Sequence, residues 1–195
     1  YIQGATVGVC GRDMAKVSKT IDRIKSENIN GEGQLIPLCI DVTDNISIEN
    51  GIDEFYRQTG KIDALINNAG GGARGSSKKL WEQDIEIIDR VIKTNLQGSI
   101  LCARKAAQIM TKQSSGVIVN MSSVVGMRGK EKMTDYAAAK AGIIGLTKSL
   151  AIELGKYNIR VNCISPGMVN QIPFDTGLPI RSTNANCLGR FGYTD

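Results

Sequence analysis

Histidine is absent from all 195 residues. A Ser-His-Asp triad, a Cys-His dyad, an HExxH zinc site and a histidine general base are therefore impossible in this chain. Any proton exchange near neutral pH falls to another side chain. Aromatic residues make up only 5%, too few to interleave the basic stripe that nucleic-acid binding needs, so no nucleic-acid partner is expected. No apolar run approaches the ~20 residues of a membrane span, so no membrane partner is expected either. The five cysteines (Cys10, Cys39, Cys102, Cys163, Cys187) form no CxxC pair. Three lie inside apolar, strand-like runs. They read as small buried hydrophobes in a reducing compartment, which points to the cytoplasm and to no metal site.

What is present suits one folded domain. A hydrophobic content of 42% is ordinary for a globular chain of this length. The net charge of +5 comes from 24 basic and 19 acidic residues, interspersed rather than clustered. That pattern fits a solvated surface, with an anionic ligand as the other reading.

Short apolar runs alternate with longer amphipathic ones. Strands are expected at 5–10, 35–41, 62–67, 116–122 and 159–165. Pro37 hints that the second of these is an edge strand. Helices are expected at 13–28, 45–59, 83–112 and 135–155, with Asp13 near the start of the first and Asp135 as a cap for the last. The tail from Met168 has no clear period and reads mostly as loop. The alternation argues for an α/β parallel sheet with helices on both faces. Ligands of such sheets bind beyond the carboxyl ends of the strands. Those ends carry Gly11-Arg12, Asp41-Val42, Asn67-Asn68-Ala69-Gly70, Ser122-Ser123 and Pro166-Gly167. Small, polar or bending residues at all five suit contacts along one extended ligand.

TDYAAAKAG, residues 134–142, sets Tyr136 and Lys140 one helical turn apart with only alanines between. Positions i and i+4 share a helix face, so phenol and ammonium can point into one cleft. A unit charge at ~4 Å in an effective dielectric of ~20 is worth ~4 kcal/mol, enough to matter for a proton exchanger. Ser123 lies thirteen residues before Tyr136 and Asn95 forty-one before it. Asn95 interrupts an apolar helical pattern, where an unpaired amide is costly, so it marks a helix irregularity.

NNAG at 67–70, Ser123, and Tyr136 with Lys140 together resemble the short-chain dehydrogenase/reductase family, in particular its 3-oxoacyl carrier-protein reductase-like subgroup. The resemblance covers nearly the whole chain, most closely residues 61–169. It implies a Rossmann-type doubly wound sheet and hydride transfer between a nicotinamide and a carbonyl or secondary alcohol. It implies that Tyr136 exchanges the proton and that Lys140 makes it more acidic and holds the nicotinamide ribose. Ser123 would bind the substrate oxygen, and Asn95 would hold a water linking Lys140 to solvent. Asp41 and Val42 would meet the adenine, Asn68, Ala69 and Gly70 the adenosine ribose, and Pro166, Gly167 and Val169 the nicotinamide. Arg12, just past the first strand, suits a 2′-phosphate, which favours NADP(H) over NAD(H).

Against the family pattern, the sequence starts at the approach to the second strand of the family. It reads as a single domain, 1–195, truncated at both ends. The first strand with its glycine-rich turn and the last strand are expected to be missing, which would leave ATVGVC and LINN unpaired across a slot and make activity of this piece alone doubtful. Gln171 stands where a threonine is usual. Ser114 and Tyr157 stand where carrier-protein reductases are basic, which weakens a carrier protein as partner. Arg74, Lys78 and Lys79 are candidates to meet an anionic substrate. The expected activity is a carbonyl reduction with NADP(H) or its reverse, on a small-molecule carbonyl or alcohol, in a homodimer or homotetramer. The alternatives are a nucleotide-sugar epimerase or dehydratase, and a non-catalytic nucleotide-binding scaffold.

Overall fold

Apolar alternation along short strands decides which side chains turn inward. In Gln34–Cys39 (β2), Ile36 and Leu38 are buried while Pro37 and Cys39 are exposed. This computed structural model describes residues 1–27, 31–72, 75–167, 169–170 and 192–193. The strands Thr6–Gly11 (β1), Ala64–Asn67 (β3), Gly116–Met121 (β4) and Ile159–Ile164 (β5) join β2 in an α/β arrangement. Every ladder among them is parallel.

The strands form two sheets. β1 pairs with β2, and β3, β4 and β5 pair in that order. Among the described residues no ladder joins β1 to β3, as the sequence led us to expect. Pro37 sits opposite Val9, on a strand whose other side has no partner among the described residues, where a missing N–H costs nothing.

Helices bridge the two sheets. Met14–Glu27 (α1) and Asn45–Thr59 (α2) both pack on β2, and Gly98–Gln113 (α4) and Thr134–Leu154 (α6) both pack on β4. One core runs through Ile36, Leu38, Ile48, Ile52, Ala103, Met110, Ile118 and Val161. Each fully buried isoleucine in it contributes about 1.5–3 kcal/mol. Lys105 of α4 reinforces the bridge by reaching Asp53 of α2 at 2.7 Å. Local chemistry sets the helix ends: the Asp44 carboxylate accepts the Ile46 N–H at 3.0 Å, and Gly60 ends α2 with φ of 72°, a left-handed position that suits glycine.

Three expectations need correction. The pattern over 83–112 is not one α-helix: Ile85–Ile92 (α3) passes through a π-turn at Lys93–Gln97 into α4. Asp135 does not cap α6; Met133 flanks it, and Asp135 lies inside the first turn with Oδ1 accepting the Tyr136 N–H at 2.7 Å. Cysteines are not uniformly buried, because Cys10 and Cys39 are exposed, Cys163 is half-buried and only Cys102 of the described ones is buried. The Cys39 thiol reaches the Arg12 carbonyl at 3.9 Å, while burial and then the nearby Cys10 thiol raise the pKa of the Cys102 thiol. In the tail, Val169–Asn170 (β6) pairs in parallel with Gly192–Tyr193 (β7); the rest of the tail, with Gln171 and Cys187, lies outside the described residues. No described helix is long and apolar enough to cross a membrane, and no group of three or more potential metal ligands occurs among the described residues.

Candidate active site

The alanine-rich start of α6 favours helix and leaves its face uncrowded. That geometry puts Tyr136 and Lys140 side by side. Lys140 is only 5% exposed. Its Nζ donates to the Met121 carbonyl at 2.7 Å and lies 5.7 Å from the centre of the Tyr136 ring. Burial lowers the Lys140 pKa from the ordinary lysine value, because the charged form loses solvation. Tyr136 is half-buried, with its ring face beside Gly72.

β4 ends at Met121, and the chain turns into the short helix Val124–Arg128 (α5). Ser123 is the N-cap of that helix: its Oγ accepts the Val125 N–H at 3.2 Å. The cap uses a lone pair and leaves the hydroxyl hydrogen available to another oxygen. Ser123 is 8% exposed.

Asn95 sits in the π-turn and is fully buried. Its Oδ1 accepts the Gly71 N–H at 2.9 Å, and its amide donates to the Gly71 and Val91 carbonyls, each at 2.9 Å. The side chain thus pairs with the loop as a peptide would. Both amide hydrogens are spent, so a water held by Asn95 has to use an oxygen, and the main-chain oxygen also receives the Ser99 hydroxyl at 3.1 Å. Gly70 is wedged beside this pair: a Cβ there would lie 2.5 Å from Asn95 Oδ1 and 3.3 Å from Lys140 Nζ. The structure therefore brings Asn95, Gly70, Tyr136 and Lys140 together.

The expected cofactor contacts line the same carboxyl edge of the strands. Arg12 follows β1 and lines a pocket of about 220 Å³ with Gly11, Asp13 and Lys16. Asp13 caps α1 by accepting the Lys16 N–H at 3.2 Å, and this bond holds its carboxyl below the usual range. The Asp41 carboxyl is also held below the usual range, first by the Thr43 N–H, then by the Thr43 hydroxyl, with the Arg12 charge assisting. Val42 is half-buried against Gly98, where a Cβ would meet the Val42 carbonyl at 2.7 Å. Asn68, Ala69 and Gly70 are exposed after β3. Pro166 is half-buried and accepts the Val124 N–H at 3.1 Å, while Gly167 is exposed. Val169 is described only by its backbone pairing with Gly192. Lys78 is already paired with Asp84 at 3.1 Å and Lys79 lies over the Trp81 ring at 5.2 Å; Arg74 lies outside the described residues.

Two site features escaped the sequence reading. The Met121 carbonyl has no side-chain signature. Lys16, in the first turn of α1, shares the pocket with Arg12, which precedes the helix, so no helical spacing links the two in sequence.

Toward the ends of this edge, Gly70 packs so closely on Asn95 and Lys140 that a Cβ would meet Asn95 Oδ1 at 2.5 Å, and Arg12 with Lys16 places cations at a separate pocket that suits an anionic group. No glycine-rich turn that could cradle a diphosphate lies beside β1 among the described residues.

Parallel strands flanked by helices, with Ser123 just past β4 and Asn95, Tyr136 and Lys140 on the adjoining helical segments, define a Rossmann-type architecture. The chain matches the short chain dehydrogenase family over residues 1–176, and it belongs to that family. It is 38% identical over 194 residues to a 3-oxoacyl-[acyl-carrier-protein] reductase of Thermotoga maritima, covering 97% of this chain and 76% of that protein. It is 36% identical over 138 residues to levodione reductase of Leifsonia aquatica, covering 71% of this chain and 51% of that one. Among solved structures, a 3-oxoacyl-[acyl-carrier protein] reductase from Brucella melitensis superposes with a TM-score of 0.84 at 34% identity, over 98% of this chain and 71% of that one. The chain thus spans between about half and three quarters of the length of these relatives.

Proposed function

We propose that the protein reduces a small-molecule carbonyl with NADPH, or runs the reverse oxidation, using Asn95, Ser123, Tyr136 and Lys140. The observation that carries this reading is the placement of Lys140: a buried ammonium, tied to Met121 and set beside the Tyr136 ring. A cation with so little solvent has a strong local field. When bound, the nicotinamide supplies or accepts the hydride. Tyr136 gives its proton to the substrate oxygen, and the Lys140 ammonium stabilises the charge left on the phenol oxygen. Ser123 donates to the same substrate oxygen, a bond that strengthens as charge builds there. Asn95 fixes the Gly70–Gly72 loop beside Lys140 and supplies an oxygen for a water in the relay.

Arg12 supports NADPH over NADH, since a 2′-phosphate adds charge that a guanidinium recognises, with Lys16 of the same pocket shared with Asp13 at 3.6 Å. Asp41, Val42, Asn68, Ala69 and Gly70 run toward the adenosine, and Pro166, Gly167 and Val169 toward the nicotinamide. Exposed Ile100 on α4 and Ile152 on α6, at 40% and 85%, support pairing of these helices with a second copy in a homodimer or homotetramer. A cytoplasmic location belongs to the same reading.

The test is the absorbance change at 340 nm with NADPH and a panel of carbonyl compounds, on the full-length protein. Turnover that requires NADPH and is lost in Tyr136→Phe supports the reading. Cofactor binding without turnover on any carbonyl or alcohol favours the non-catalytic alternative.

A further inference from the structure

Lys140 is gripped at its backbone as well as at its ammonium. The residue next to Met121, Ser122, is 4% exposed and donates its hydroxyl to the Lys140 main-chain carbonyl at 2.6 Å. Its own N–H donates to the Ile164 carbonyl at 2.8 Å, which anchors it to the end of β5. A carbonyl inside a helix is already the acceptor of the helical bond from four residues on. A second donor from a strand end is therefore not needed to satisfy it, and the hydroxyl serves to tie α6 to β4.

The same peptide is also met by α5. A Cβ at Gly126 would lie 2.6 Å from the Lys140 carbonyl carbon and 2.8 Å from Ala141 N. Those are backbone atoms that cannot swing aside, so α5 and α6 touch main chain to main chain at this one residue. Gly126 also ties back to Ser123, whose carbonyl accepts its N–H at 3.0 Å. Met121, Ser122, Ser123 and Gly126 thus form one short run of chain that fixes the Lys140 ammonium, the Lys140 backbone and the Ser123 hydroxyl relative to each other.

We propose that Ser122 and Gly126 are positioning residues that clamp the Lys140 peptide, setting the distance between the ammonium, the Tyr136 phenol and the Ser123 hydroxyl. This rests on the carbonyl-reductase reading for its catalytic consequence and on geometry alone for the clamp. Neither residue touches substrate. Loss of the hydroxyl frees α6 to shift along β4, and a methyl at 126 pushes it outward.

The experiment compares Ser122→Ala, Ser122→Cys, Ser122→Thr and Gly126→Ala in the full-length protein. The readouts are kcat, KM for the carbonyl, the pH dependence of kcat, and amide hydrogen exchange of the 136–144 turn. Small misplacements of catalytic groups cost rate, and about a tenfold fall in kcat is expected for Ser122→Ala and Ser122→Cys. KM stays nearly unchanged and the pH limb of kcat moves. Ser122→Thr keeps the hydroxyl and restores both; Gly126→Ala reproduces the defect. A purely structural role lowers the folded fraction without moving the pH limb, and that outcome, or an unaltered kcat in Ser122→Ala, overturns the proposal. If the wild type turns over no carbonyl, the functional reading has failed, and exchange then decides the clamp: faster exchange at 136–144 in Ser122→Ala upholds it, and unchanged exchange overturns it.

Discussion

Lys140 and Met121 are nineteen positions apart in sequence, yet the Lys140 ammonium donates to the Met121 carbonyl across 2.7 Å. The bond joins the second turn of α6 to the last residue of β4. A lysine held this way has almost no water around it, and its charge costs the fold free energy that an exposed lysine does not.

That cost gives a pH signature. Burial lowers the Lys140 pKa in the folded state, so the unfolded chain binds the proton more tightly. Stability contributed at this residue then rises as pH climbs from the lowered folded value toward the ordinary 10.5. Denaturant midpoints of the wild type and Lys140→Met, compared from neutral pH upward, are expected to shift in favour of the wild type as pH rises. A difference independent of pH contradicts the burial argument.

The Asn95 side chain, itself buried, closes three bonds with Gly71 and Val91. Asn95→Ala strands the Gly71 N–H, and an unsatisfied buried group costs about 1–3 kcal/mol. Urea unfolding is expected to show a loss in that range, with faster exchange at Gly71. A variant as stable as the wild type shows that the loop is not held by this amide.

Arg12 and Lys16 face one pocket. Arg12→Ala is expected to raise KM for NADPH about tenfold while leaving KM for NADH nearly unchanged, the scale of one lost charge-assisted hydrogen bond. Steady-state kinetics with both cofactors read this directly. Equal effects on the two place the 2′-phosphate elsewhere.

Ile152 is 85% exposed on α6. If this face meets a second copy, Ile152→Lys weakens the assembly, and light scattering is expected to move from dimer or tetramer toward monomer. An unchanged mass puts the interface on another surface.

Local patterns carried much of the architecture. The five main strands and their parallel order follow from short apolar runs alternating with helical periods. The Tyr136–Lys140 spacing is a helix property and needs no tertiary information. Asn95 was legible as an irregularity because an amide in an apolar stripe needs a partner, but the π-turn and Gly71 were not, since that partner lies twenty-four positions away. Asp135 misled because aspartate favours caps, while the turn at Met133 starts α6 earlier. Cys10 and Cys39 misled because an apolar run does not say how far neighbouring elements cover each strand residue. The Met121 carbonyl and the Ser122 hydroxyl were invisible for the same reason: they act on Lys140 only once β4 and α6 are packed.

The most direct test of the central claim is turnover by full-length Tyr136→Phe with NADPH and the best carbonyl found for the wild type. A positioned proton donor contributes about 10²–10⁴-fold. The account predicts a loss of that size in kcat with nicotinamide binding retained, and a phenylalanine variant that turns over as fast as the wild type contradicts it.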